Sequence, residues 1–167
     1  ALIRQHSHHY LCAATLSAKV DEKIRLFDKQ KAQITEEKNG KKVYCLKYSE
    51  NNEHCYLYFS EKLYDDKINR KKNHIRKLLK ESKEMQDRIL SQRKYKQKTY
   101  QLQDFIATDS LSLQKRLEKL SDKELSETLF SESITGREGF FLLVSSKDLT
   151  HFEALKLYKE RDSIEKM

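Results

Sequence analysis

A 167-residue chain with 37% hydrophobic and 36% charged residues can bury one core of modest size, and its mean hydropathy of −0.88 marks a surface-rich protein. No apolar run approaches the ~20 residues that span a bilayer and no signal-peptide pattern opens the chain, so a cytosolic location with no membrane partner is the expectation. Cys12, Cys45 and Cys55, an odd number without CxxC spacing, argue against a disulfide framework and fit a reducing compartment.

In chain order, ALIRQHS has the character of a helix tail, and HHYLCAATL reads as a short buried strand. SAKVDEKIRLF places Val20, Ile24 and Phe27 at helical spacing. KKVYCLKYSE and HCYLYFSE alternate bulky and polar residues about the turn residues ENNE, which predicts a hairpin over 42–60. Val43, Cys45 and Lys47 fall on one face of it, and Tyr44, Leu46 and Tyr48 on the other. Its tyrosines suit cross-strand pairing and also suit stacking on bases.

From about 61 to 98 the apolar residues Ile75, Leu78, Leu79, Met85 and Ile89 recur every three or four positions with no Gly or Pro, which predicts one long amphipathic helix. Leu113, Leu117 and Leu120 recur similarly and predict further helices within 110–130, with Ser121 and Glu124 forming a capping box. ITGREG is a turn, and GFFLLVSS is an apolar run of the kind found in a strand covered on both faces. A second capping box, Thr150 with Glu153, opens a helix that reaches the chain end. Phe152, Leu155, Leu157 and Ile164 are available for its burial, while Tyr158, Arg161 and Glu165 share one face.

The charge is concentrated. Residues 61–98 hold 14 Lys/Arg against 6 Asp/Glu, which equals the whole formal charge of +8. Such a stripe attracts polyanions by counterion release, and it also fits a solvated helix face rich in Lys and Glu. His6, His8, His9 and Cys12, with Cys45, His54 and Cys55, are donors of zinc type, but the hairpin supplies no matching pair at finger spacing. No Gly-rich phosphate loop and no G-x-S-x-G occurs, so nucleotide hydrolysis and acyl transfer have no anchor.

The stretch GFFLLVSSKDLTHFEALKLYKERDSIEK resembles the C-terminal catalytic segment of DDE-type insertion-sequence transposases of the subgroup with a Y-x2-R-x3-E-x6-K signature. Tyr158, Arg161 and Glu165 match its first three positions, and the final Lys would fall beyond Met167. The EGFFLLV run resembles the D/E-G-F-F strand that precedes this helix in such proteins. Residues 40–100 look like the variable insertion between the second Asp and the Glu, and residues 1–16 look like the helix end and strand that follow the second Asp.

The resemblance implies a helix-rich, mixed α/β fold: the C-terminal part of an RNase H-like core, interrupted by an insertion made of a β-hairpin and long basic helices. Residues 1–20 would end the first half of that core, 21–135 would be the insertion, and 136–167 the returning strand and Glu-bearing helix. In the family two Asp and one Glu hold Mg²⁺ or Mn²⁺, hard cations that prefer oxygen ligands, for cutting and joining phosphodiester bonds. The resemblance makes Glu165 the third carboxylate, catalytic and metal-ligating, with Tyr158 and Arg161 on transposon-end DNA near the scissile phosphate. It also implies double-stranded DNA as partner, a homodimer in the parent's synaptic complex, and a prokaryotic cytoplasm or nucleoid.

The two partner aspartates are not recognisable, because Asp21, Asp28, Asp65 and Asp66 sit in polar helical contexts rather than at strand ends. With its opening lacking Met and its end inside a helical pattern, the chain is expected to be a fragment that is inactive alone. A reading of another class stays open, a non-catalytic basic module that binds nucleic acid or a partner helix through residues 61–98. On spacing alone, Glu165 is a surface acid paired with Arg161.

Overall fold

The computed structural model describes residues 9–92 and 121–165, with side chains over 9–84 and 121–161. The chain divides into two compact units, Ala1–Lys67 with Gly136–Met167, and Ile68–Thr135. Among the described residues there are five strands and four helices, so the protein is mixed α/β with a five-stranded antiparallel sheet.

In the first unit, β1 (Leu11–Ala14), β2 (Gln33–Lys38), β3 (Lys41–Glu50), β4 (Glu53–Ser60) and β5 (Phe140–Ser145) form the sheet in the order β1-β5-β4-β3-β2. The expected hairpin is β3 and β4, joined at Asn51 and Asn52, both with positive φ, the left-handed conformation that a two-residue turn requires and Asn tolerates. The hairpin does not stand apart from the returning strand. β4 pairs with β5 from His54↔Ser145 to Phe59↔Phe140, so the segment assigned by sequence to an insertion shares one sheet with the segment assigned to the core.

Period-two alternation then sorts the side chains onto two faces. Cys55, Leu57 and Phe59 of β4 and Phe140 and Leu142 of β5 bury one face, where Val20, Ile24 and Phe27 pack from helix α1 (Ala18–Arg25) and its exit. Phe27 meets Phe140 edge-on at 5.2 Å. Tyr56 and Tyr58 of β4 and Leu143 of β5 bury the opposite face, against Ala154 and Leu155 of the C-terminal helix. Strands covered on both faces need apolar residues at every position, which is why GFFLLVSS reads as a continuous run.

β1 is an edge strand, half-exposed rather than buried, because it has only β5 as neighbour. β2 is absent from the sequence reading. QITEEK shows little apolar alternation, yet Asn39 (φ 53°) and Gly40 (φ 70°) supply the tight turn that folds it back on β3. Gly139 (φ 84°) is required at the start of β5, since a Cβ there would lie 2.8 Å from both Phe59 and Tyr64.

Helix α2 (Glu61–Gln92) is the long basic helix, and residues 93–98 of the expected span lie outside the described residues. In the second unit, Ile75 is buried and Leu78 and Leu79 are half-buried, as the stripe requires; the side chains of Met85 and Ile89 are not described. Helix α3 (Asp122–Ser133) begins at the expected capping box, with Ser121 N–H donating to Glu124 Oε2 at 2.9 Å. ALIRQHS and the Leu113, Leu117 and Leu120 segment fall outside the described residues. No described helix is long and apolar enough to cross a membrane.

Candidate functional site

The site singled out by sequence lies on helix α4 (His151–Glu165), which follows β5 after a short loop. Its start is the second expected capping box: Thr150 N–H and Oγ1 donate to Glu153 Oε2 at 2.9 and 2.8 Å, and Glu153 N–H donates back to Thr150 Oγ1 at 3.2 Å. The Thr150 N–H holds the Glu153 carboxyl below the usual carboxylate range.

The loop ahead of α4 is clamped from β3 and β4. Tyr56 Oη donates to the Leu149 carbonyl and accepts from the Leu149 N–H, both at 2.8 Å, while Tyr58 Oη donates to the His151 carbonyl at 2.6 Å. Lys47, directly opposite Tyr56 in the hairpin, lies over the Tyr56 ring and donates to the Leu149 carbonyl at 2.7 Å and to the Asp148 carboxylate. That hydrogen bond raises the lysine and lowers the aspartate, so both stay ionised. Tyr56 and Tyr58 are completely buried, and burial pushes both phenols up, so neither serves as a base.

These tyrosines answer the choice between pairing and base stacking: Tyr56 and Tyr58 are inside, and Tyr58 stacks on Phe141 at 5.0 Å. The sequence places Lys47 on one hairpin face with Val43 and Cys45 but does not show the clamp, because the Leu149 loop it holds is 102 residues away. Its signal was that Lys47 sits opposite an aromatic on a face that is otherwise apolar.

α4 turns Ala154, Leu155 and Tyr158 toward the sheet, with Leu155 4% exposed. Phe152 (59%) and Leu157 (47%) are exposed, contrary to the expectation that they would be buried. The apolar stripe follows positions 154, 155 and 158, and a helix packed on one sheet has no second face to bury. Tyr158 is half-buried over the core, Arg161 is exposed one turn further, and the helical backbone continues to Glu165, whose side chain is outside the described residues. Lys159 pairs with Glu36 and so ties α4 to β2. Between these two elements lies a cleft of about 250 Å³, floored by Thr35 and Leu155 and edged by Phe152, Lys156 and Lys159.

The divalent metal that the resemblance implies would need clustered carboxylates. Among the described residues no three His, Cys, Asp or Glu side chains gather as a metal site. Asp21 receives a two-pronged bond from Arg137, at 2.7 Å for the Nε donor, and the Arg137 bond holds its carboxyl below the usual range. Asp65 is paired with Lys41 at 2.6 Å, and Asp28 Oδ1 accepts from the Gln30 N–H at 2.9 Å. The zinc-type donors do not converge either: Cys45 and Cys55 are buried on opposite faces of the sheet, and His6 and His8 lie outside the described residues. The described residues therefore do not fit a two-metal centre on their own.

Comparison with family models, with curated proteins and with solved structures gives no match.

Proposed function

We propose that this chain is the Glu-bearing portion of a DDE-type transposase with an RNase H-like core, whose parent cuts and joins DNA strands at transposon ends. The observation that carries the reading is the unit from β5 to α4: a strand buried on both faces, a clamped loop, and a capped helix seated on the sheet. Ala154, Leu155 and Tyr158 seat the helix on the sheet, and chemistry at a phosphodiester demands such a rigid support. Tyr158 braces the helix against the sheet. Arg161 presents a planar fork of donors suited to a phosphate. Glu165 contributes one carboxylate, and two aspartates from elsewhere in the parent complete the site, where Mg²⁺ or Mn²⁺ would supply activation of the attacking oxygen.

Coding DNA on both sides of the chain tests this. An upstream frame with two aspartates at strand ends, and a downstream Lys completing the E-x6-K spacing, supports the proposal. A start codon directly before Ala1 with a stop directly after Met167 overturns it. A nuclease assay with Mg²⁺ on linear duplex DNA is expected to read blank; cleavage abolished by Glu165→Gln would overturn the division of the active site between this chain and the rest of its parent.

A further inference from the structure

In the second unit, α2 turns one face inward. Ile75 is 6% exposed, and α3 binds that side through Lys83 to Asp122 at 2.7 Å, Lys72 over the Phe130 ring at 5.3 Å, and Lys71 to the Ser133 carbonyl. The opposite face carries Asn69, Arg70, Asn73, Lys77 and Lys80, and Arg76 stands at its border, where it also lines the groove to α3; all are exposed. From Lys67 to Lys80 the sequence holds no Asp or Glu. Among the described residues Arg70 and Arg76 form no ion pair, while Lys77 and Lys80 make exposed i,i+4 contacts with Glu81 and Glu84 at 3.6 and 3.8 Å, which water and salt screen.

From this face we infer that residues 69–80 of α2 are a docking element for duplex DNA. The inference goes beyond the reading of α4 and does not depend on it. Charge complementarity selects a polyanion, and unpaired guanidinium groups are the side chains best matched to phosphate. Shape selects the B-form duplex: a helix about 10–12 Å across enters a major groove about 12 Å wide, whereas the major groove of A-form RNA is too narrow to be read. Asn and Arg are also the residues that pair with adenine and guanine edges. An anionic membrane is disfavoured because a surface-lying helix needs an apolar face beside its cations, and here that face is buried, as Ile75 shows.

The test is fluorescence anisotropy of the full chain on a labelled random-sequence duplex between 50 and 200 mM KCl, roughly the range over which counterion release is read. Four cations on phosphates contribute about −3.6 to the slope of log K against log salt, so Arg70→Gln with Arg76→Gln should flatten it by about 1.8 units. Affinity at the lowest salt should fall at least about tenfold, with the far-UV spectrum and melting temperature unchanged because both side chains are solvated. Arg161→Gln should leave the contribution of these two arginines intact, so failure here is separable from failure of the α4 reading. An unchanged slope in the double variant overturns the inference. So does absence of duplex binding, whether or not the chain binds anionic vesicles or single-stranded RNA.

Discussion

Replacing Tyr56 by Phe isolates the clamp that seats α4. The ring stays buried and Lys47 still lies over it, so packing changes little, but the hydroxyl serves two backbone groups of Leu149 at 2.8 Å each. The Leu149 carbonyl keeps Lys47 as a donor at 2.7 Å, whereas the Leu149 N–H loses the partner it has in the native loop. Leaving one part-buried N–H unsatisfied costs about 1–3 kcal/mol. For a domain near 100 residues that is a melting temperature lower by roughly 4–8 °C per kcal/mol. Urea denaturation should show a lower midpoint with an unchanged slope, and hydrogen exchange at Leu149 should accelerate. Tyr58→Phe perturbs the start of α4 instead: it removes a bond of 2.6 Å to the His151 carbonyl together with the hydroxyl's bonds to the Leu155 backbone and the Cys45 thiol. A Tyr56→Phe loss below about 0.5 kcal/mol, or unchanged exchange at Leu149, would refute the clamp as the element that holds the loop.

Three other outcomes are expected. Thr35 is 3% exposed and its hydroxyl has no hydrogen-bond partner among the described residues, so Thr35→Val should raise stability by about 1 kcal/mol in the same urea assay, and a loss of stability would show that the hydroxyl is bonded. The Asp21 carboxyl is held low by Arg137, so its contribution is complete above the unfolded value near 3.8 and is lost as pH falls through the lower folded value. Acid titration of stability should therefore flatten below the unfolded value near 3.8 in Asp21→Asn, and an unaltered profile would contradict the pairing. Burial pushes the Cys45 thiol up to about 12, and Cys55 is 5% exposed, so alkylation at pH 8 should label Cys12 in the native protein and the other two only in urea; rapid native labelling of Cys45 would show that the hairpin opens.

What the sequence revealed and what it concealed follow from the range of the interactions. Both capping boxes were legible because Ser121 with Glu124, and Thr150 with Glu153, are closed within three residues. The hairpin faces were legible because burial on either side of β3 and β4 imposes alternation. β2 escaped because its burial rests on Thr35, the extra residue where the register to β3 slips between Ile34 and Glu36, and a bulge erases the period-two signal. The shared sheet escaped because the pairing of β4 with β5 joins residues some 80 positions apart, roughly the separation of Phe59 and Phe140, and no local pattern encodes such a contact. On α4 the spacing of Tyr158, Arg161 and Glu165 was readable, but their environments were not. Tyr158 packs on the sheet while Arg161 is exposed, a distinction set by where Leu155 meets Tyr58 and Leu143.

The proposal that α4 presents Arg161 to DNA is tested most directly by a salt titration of duplex binding for Arg161→Gln against the parent chain. One phosphate contact predicts a slope shallower by about 0.9 and an affinity weaker by a similar factor on all duplex sequences. Superimposable titrations for the two proteins would contradict it.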